Sequence, residues 1–152
     1  MKIAKRITVL FCLAFVLCGC SLKKEVVEPE VFAASMSAQG YAAKDVTREM
    51  GGKVEGAVSA QGARGAYQIE FYKTATVEQA KRAFRQNKAT FQADKKRVAS
   101  SFSTAGLNYE KYSIKTDGWY RYVCRVENTF VYASVPEEYQ DAVKQAVASI
   151  GY

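Results

Sequence analysis

The sequence predicts an α+β fold, an antiparallel β-sheet with helices packed on one face in the order α-β-β-β-α-β-β-β-α. Three observations predict it. Segments such as that from Ala66 to Lys73 alternate, with Tyr67, Ile69 and Phe71 on one side and Gln68, Glu70 and Tyr72 on the other, the period of a half-buried strand. Asp117-Gly118 stands between two such segments, a strong short-range hairpin signal. Val77, Phe84, Phe91 and Val98 recur every seven residues, a narrow apolar stripe suited to lying on a flat sheet.

Taken in order, Val31, Phe32 and Met36 give a short amphipathic helix from about 29 to 39, closed by Gly40 as a C′ glycine. Tyr41 to Val46 reads as a strand and Gly51-Gly52 as a break. Lys53 to Ser59 and Ala66 to Lys73 are two further strands, joined through Gly62-Ala63-Arg64-Gly65. Thr76 opens the long helix, and Gln79 three positions on completes a capping-box pattern; the helix is expected to run from 76 to 102. Tyr109 to Thr116, Trp119 to Val126 and Phe130 to Val135 form a meander. Pro136-Glu137-Glu138 opens a last helix, acids at the positive end of its dipole, with Ala142, Val143, Ala146, Val147 and Ile150 as the buried face and Gly151 as the stop.

The first six residues carry Lys2, Lys5 and Arg6, followed by an apolar run from Ile7 to Leu17 interrupted only by Thr8. Eleven residues cover about 16 Å as a helix, half a hydrocarbon core, so the run reads as a signal and not as a membrane span. Leu17-Cys18-Gly19-Cys20 ends it, and these four residues in this setting resemble the lipobox of bacterial lipoproteins. The resemblance implies cleavage before Cys20, diacylglycerol on its sulfur, and a protein held on the extracytoplasmic side of the cell membrane. The organisation expected is a signal peptide over 1–19, a lipidated cysteine and short tether over 20–29, and one globular domain over 30–152. The mature part is similar to the short lipoproteins of monoderm bacteria, and its sheet-and-helix layout resembles the PsbP and Mog1 group.

Composition excludes more than it selects. Once the leader and its three bases are gone, 19 Lys and Arg face 15 Asp and Glu, a net charge of +4. Cys12 and Cys18 leave with the leader and Cys20 is acylated, so Cys124 has no partner for an intrachain disulfide. The chain contains no histidine, which removes the usual general base, the commonest transition-metal ligand and the Ser-His and Cys-His nucleophile pairs. No spacing points to a metal or another cofactor, and no motif accompanies the charge that would point to nucleic acid. The expectation is a non-enzymatic, monomeric accessory module whose partner is an envelope protein, a peptide or a glycan; the alternatives are an electrostatic accessory on membrane or wall polymer and an enzyme that uses no histidine.

Two surfaces are candidates for that partner. Trp119, Arg121 and Arg125 share one side of their strand, and Lys111, Lys115 and Tyr72 on neighbouring strands are expected to join them on the open face of the sheet; the alternative is a Trp covering the sheet edge with arginine stems packed over it. The long helix carries Lys81, Arg82, Arg85, Lys88, Lys95, Lys96 and Arg97 against Glu78 and Asp94, a net +5 that suits an anionic membrane or wall polymer. Cys124, flanked on its own face by Tyr122 and Val126, reads as a small buried hydrophobe.

Overall fold

The computed structural model describes residues 23–96 and 98–152. Helix α1 (Pro29–Ala38) is followed by strands β1 (Ala42–Asp45), β2 (Gly56–Gly62) and β3 (Tyr67–Lys73), then helix α2 (Val77–Ala93). Strands β4 (Ala99–Ala105), β5 (Tyr109–Thr116), β6 (Trp119–Val126) and β7 (Thr129–Pro136) lead to helix α3 (Gln140–Ser149). The seven strands form one sheet in the order β1-β2-β3-β7-β6-β5-β4, with every neighbouring pair antiparallel. The α+β class is therefore the fold of the described chain.

Local chemistry accounts for the element ends. The Thr76 hydroxyl accepts a hydrogen bond from the Gln79 amide, and the Gln79 side chain accepts one from the Thr76 amide, so the capping box starts α2. Helices α1 and α3 end alike. Gly40 and Gly151 sit at φ +86° and +78°, and the amides of Tyr41 and Tyr152 reach back to the carbonyls of Met36 and Val147, at 3.1 Å in both cases. These are two Schellman closures, in which a tyrosine follows the left-handed glycine.

The larger core lies between one face of the sheet and helices α1 and α3. Phe32 and Met36 from α1 and Val143, Ala146 and Val147 from α3 meet Ile69, Phe71, Tyr122, Cys124, Val131 and Val135. Phe32 stacks on Phe71 with centroids 4.9 Å apart, and each such ring contributes about 2–3 kcal/mol when fully buried.

Two expectations are corrected. The helices do not share one face: Phe84 and Phe91 of α2 pack on Tyr112, Ile114 and Val123, which point to the side of the sheet opposite α1 and α3. The cause is visible in β6, whose residues Tyr122 to Val126 are all buried, and a strand buried on both sides needs cover on both. The second correction is that α2 stops at Ala93 rather than running to 102. Beyond it, Ala99–Ala105 is a seventh strand at the sheet edge, rich in serine and threonine, and Val98, fourth in the heptad series, is 85% exposed. Three buried or half-buried members of a stripe sufficed to suggest a fourth turn that the chain does not make.

The tether is also more ordered than its composition suggests. The Lys24 amide donates to Asn108 Oδ1 at 2.9 Å, and Asn108 Nδ2 donates back to the Lys24 carbonyl at 2.8 Å. The Val27 amide donates to the Tyr152 hydroxyl at 3.0 Å, and Lys73 pairs with Glu28 at 2.7 Å. Residues 24–28 thus form a strap along one end of the sheet.

Candidate binding groove

On the face that carries α1 and α3, the helices leave part of the sheet uncovered. Helix α1 lies over β1, β2 and β3 and α3 lies near β7, so β4, β5 and the outer part of β6 form a floor that α3 only borders. Alternation along β5 sends Lys111, Ser113 and Lys115 to this floor while Tyr112 and Ile114 go under α2. Register then sets their neighbours, Lys111 opposite Cys124, Ser113 opposite Tyr122 and Lys115 opposite Tyr120. The result is a groove of about 460 Å³, floored by Tyr120, Tyr122 and Phe102 and walled by Val147 and Lys144 of α3.

Its charge is one-sided. Lys111, Lys115 and Lys144 line it and no Asp or Glu side chain does. Lys115 is held by Glu137 at 2.8 Å and Lys144 lies 4.0 Å from Asp141, both partners standing outside the lining. Lys111 has no Asp or Glu side chain paired with it among the described residues. Its half-buried ammonium donates to the main-chain oxygen of Tyr152 at 3.1 Å and stands 5.9 Å from the centroid of the Tyr122 ring. Burial holds the Lys111 ammonium below the usual lysine range, with nearby Lys24 acting in the same direction and Cys124 against it. The Tyr122 hydroxyl is closed off from solvent with the Cys124 thiol as its polar neighbour, and burial first, then Cys124, raise it well above the ordinary phenol range.

The face expected to bind is divided by this geometry. Lys111 and Lys115 lie on the opposite side of the sheet from Trp119, Arg121 and Arg125, because the two-residue turn at Asp117-Gly118 pairs Thr116 with Trp119 and Lys115 with Tyr120. Nor is the Trp119 side open. Arg125 is 5% exposed, pairs with Glu110 at 3.0 Å and donates to the carbonyls of Asn108 and Glu127, which ties two turns together. Arg121 pairs with Asp94 at 2.6 Å beside the Phe91 ring and fastens the end of α2. Tyr72 does share this side. It stacks on Phe130 at 4.8 Å and donates to Glu70, an arrangement of packing. Trp119 is 43% exposed at the rim.

Along α2, Lys81 pairs with Glu78 at 2.9 Å and Lys88 stands 5.2 Å from the Tyr112 ring centroid, while Arg82, Arg85, Lys95 and Lys96 are exposed. Arg97 and Cys20 lie outside the described residues. Cys124 is buried, and burial raises its thiol above the usual range, so the reading as a buried hydrophobe holds. Lys144 and the groove itself were not foreseen. The spacing Lys111-Ser113-Lys115 was a usable signal, since it sets three polar groups on one side of a strand whose other side is Tyr112 and Ile114. Compared with models of known families, with curated proteins and with solved structures, the chain matches none.

Proposed function

We propose that this chain is a lipid-anchored, extracytoplasmic, non-enzymatic module that recognises an envelope protein, peptide or glycan through an anionic segment. Recognition takes place in the groove between β4, β5, β6 and α3. The observation that carries the reading is the groove's lining, three lysines over an aromatic floor with no Asp or Glu side chain among them. A carboxylate or phosphate entering it meets the ammonium groups of Lys111, Lys115 and Lys144, and the exposed ring of Phe102 offers apolar area to whatever carries the charge. The lipobox at Leu17 to Cys20 supplies the anchor and the compartment.

The test passes detergent-solubilised envelope and purified wall fragments over the immobilised chain at low and moderate salt. A defined component should remain at moderate salt, be lost from Lys111→Met and Lys144→Met, and persist on Trp119→Ala. Loss from Trp119→Ala with retention by both lysine variants would move the site to the other face. A second reading has its own observation, the exposed Lys95 and Lys96 at the end of α2. If these serve an electrostatic contact with wall polymer, all retention should wash away as salt rises.

A further inference from the structure

The antiparallel strands and helix α2 run between the same two ends of the domain, and the ends differ. One end holds the turns at 106–108 and 127–128 and the starts of α1 and α2. The other holds Asp117-Gly118, Trp119 and the end of α2 at Asp94. Strand β6 separates Trp119 from Val126 by seven steps, about 23 Å.

The strap fixes the amino-terminal side of the chain at the first of these ends. Lys24 is clamped by both polar groups of Asn108, and its ammonium donates to the Gly151 carbonyl and lies 5.1 Å from the Tyr109 ring centroid. Between Cys20 and Lys24 there are four residue steps, a reach of about 14 Å at full extension. Leu107, the residue beside the clamp, is 79% exposed at the tip of the β4–β5 turn, and Val26 on the strap is 39% exposed. An apolar side chain exposed at a hairpin tip, within one short stretch of the acylation position, suits the interfacial region of a bilayer.

We infer that the end bearing Asn108 docks on the lipid bilayer with Leu107 at the interface. Trp119 and the Lys95-Lys96 end of α2 then point away from it. This inference rests on acylation of Cys20, as proposed above. It sets α2 steeply to the membrane, so its basic residues serve something beyond the lipid surface that holds the protein.

The experiment uses the full chain, produced in a host that processes lipoproteins and reconstituted in vesicles whose acyl chains carry bromine, a short-range quencher of indole. The mass of the amino-terminal peptide reports acylation of Cys20 separately. Three proteins are compared: the unaltered chain, in which Trp119 is the only indole; Leu107→Trp combined with Trp119→Phe; and that double variant with about twelve Gly and Ser residues inserted before Lys23, which frees the strapped end from the surface. With Cys20 acylated, emission from position 107 should fall by about half or more and shift to the blue, Trp119 should be unaffected, and the lengthened tether should restore the emission. Acylated protein in which position 107 is unquenched, or in which Trp119 is quenched equally, overturns the orientation and leaves the anchor standing. Unmodified Cys20 overturns the anchor and the orientation with it.

Discussion

At the scale of single residues, Asn108 joins three segments that are far apart in sequence. Its side chain brackets Lys24, and its carbonyl accepts from the Glu127 amide at 2.9 Å and from Arg125 at 3.3 Å. Asn108→Ala should cost about 1–2 kcal/mol by chemical denaturation, since two part-buried bonds are lost and the Lys24 backbone can still reach water. Trypsin should then cut after Lys24 much faster than in the unaltered chain. Unchanged stability and unchanged cleavage would mean that the strap is not held where the structure has it. None of this was legible in the sequence. An asparagine in a Gly-Leu-Asn turn announces a bend, and nothing local shows that it clamps a backbone 84 positions away. Which of the two readings of the arginines holds was hidden for a related reason: alternation tells which side Arg121 and Arg125 take, not that a helix and two carboxylates are waiting there.

At the scale of elements, the legible parts were those governed by near neighbours. The capping box at Thr76, the left-handed glycines after α1 and α3, and the Asp117-Gly118 turn at φ +54° and +73° are all decided within a few residues. Thr76→Ala should therefore destabilise the domain by about 1 kcal/mol, and restoring the hydroxyl with Thr76→Ser should recover most of it, both by denaturant midpoint. Equal stability of the two variants would remove the cap from the account. The turn also contained information that the sequence reading left unused. A two-residue loop fixes the pairing of its flanks, so Lys115 had to oppose Tyr120 and leave the Trp119 side. Strand β4 was not legible, because Ser100 to Thr104 has little apolar pattern and follows a heptad series that stops at Phe91.

At the scale of the whole molecule, the fold class followed from local alternation, while the division of helices between two faces and the groove they leave depend on the third dimension. The tyrosines make the packing measurable. Burial raises the phenols of Tyr120, Tyr122 and Tyr152 above their ordinary value near 10. A group whose folded pKa lies above its unfolded one gives stability that is complete below pH 10 and is lost as pH rises through the folded value. Lys111, held low, acts in the opposite sense: its penalty applies below its folded pKa and is relieved as pH approaches 10.5. Three phenols outweigh one ammonium, so stability should fall above pH 10. Phenolate absorbance from the buried tyrosines should then appear together with the loss of circular dichroism. Their gradual titration with the fold intact would contradict the packing described.

The groove is the centre of the functional account, and amide chemical-shift mapping addresses it most directly. The chain would be titrated with dodecyl phosphate below its micelle concentration, as an anionic group on an apolar body, and with the envelope component once one is retained. The account predicts saturable shifts confined to residues 100–102, 111–115, 120–122 and 144–148, which Lys111→Met abolishes. Shifts centred on Trp119, Arg121 and Tyr72, or spread along α2 and erased by salt, would contradict it.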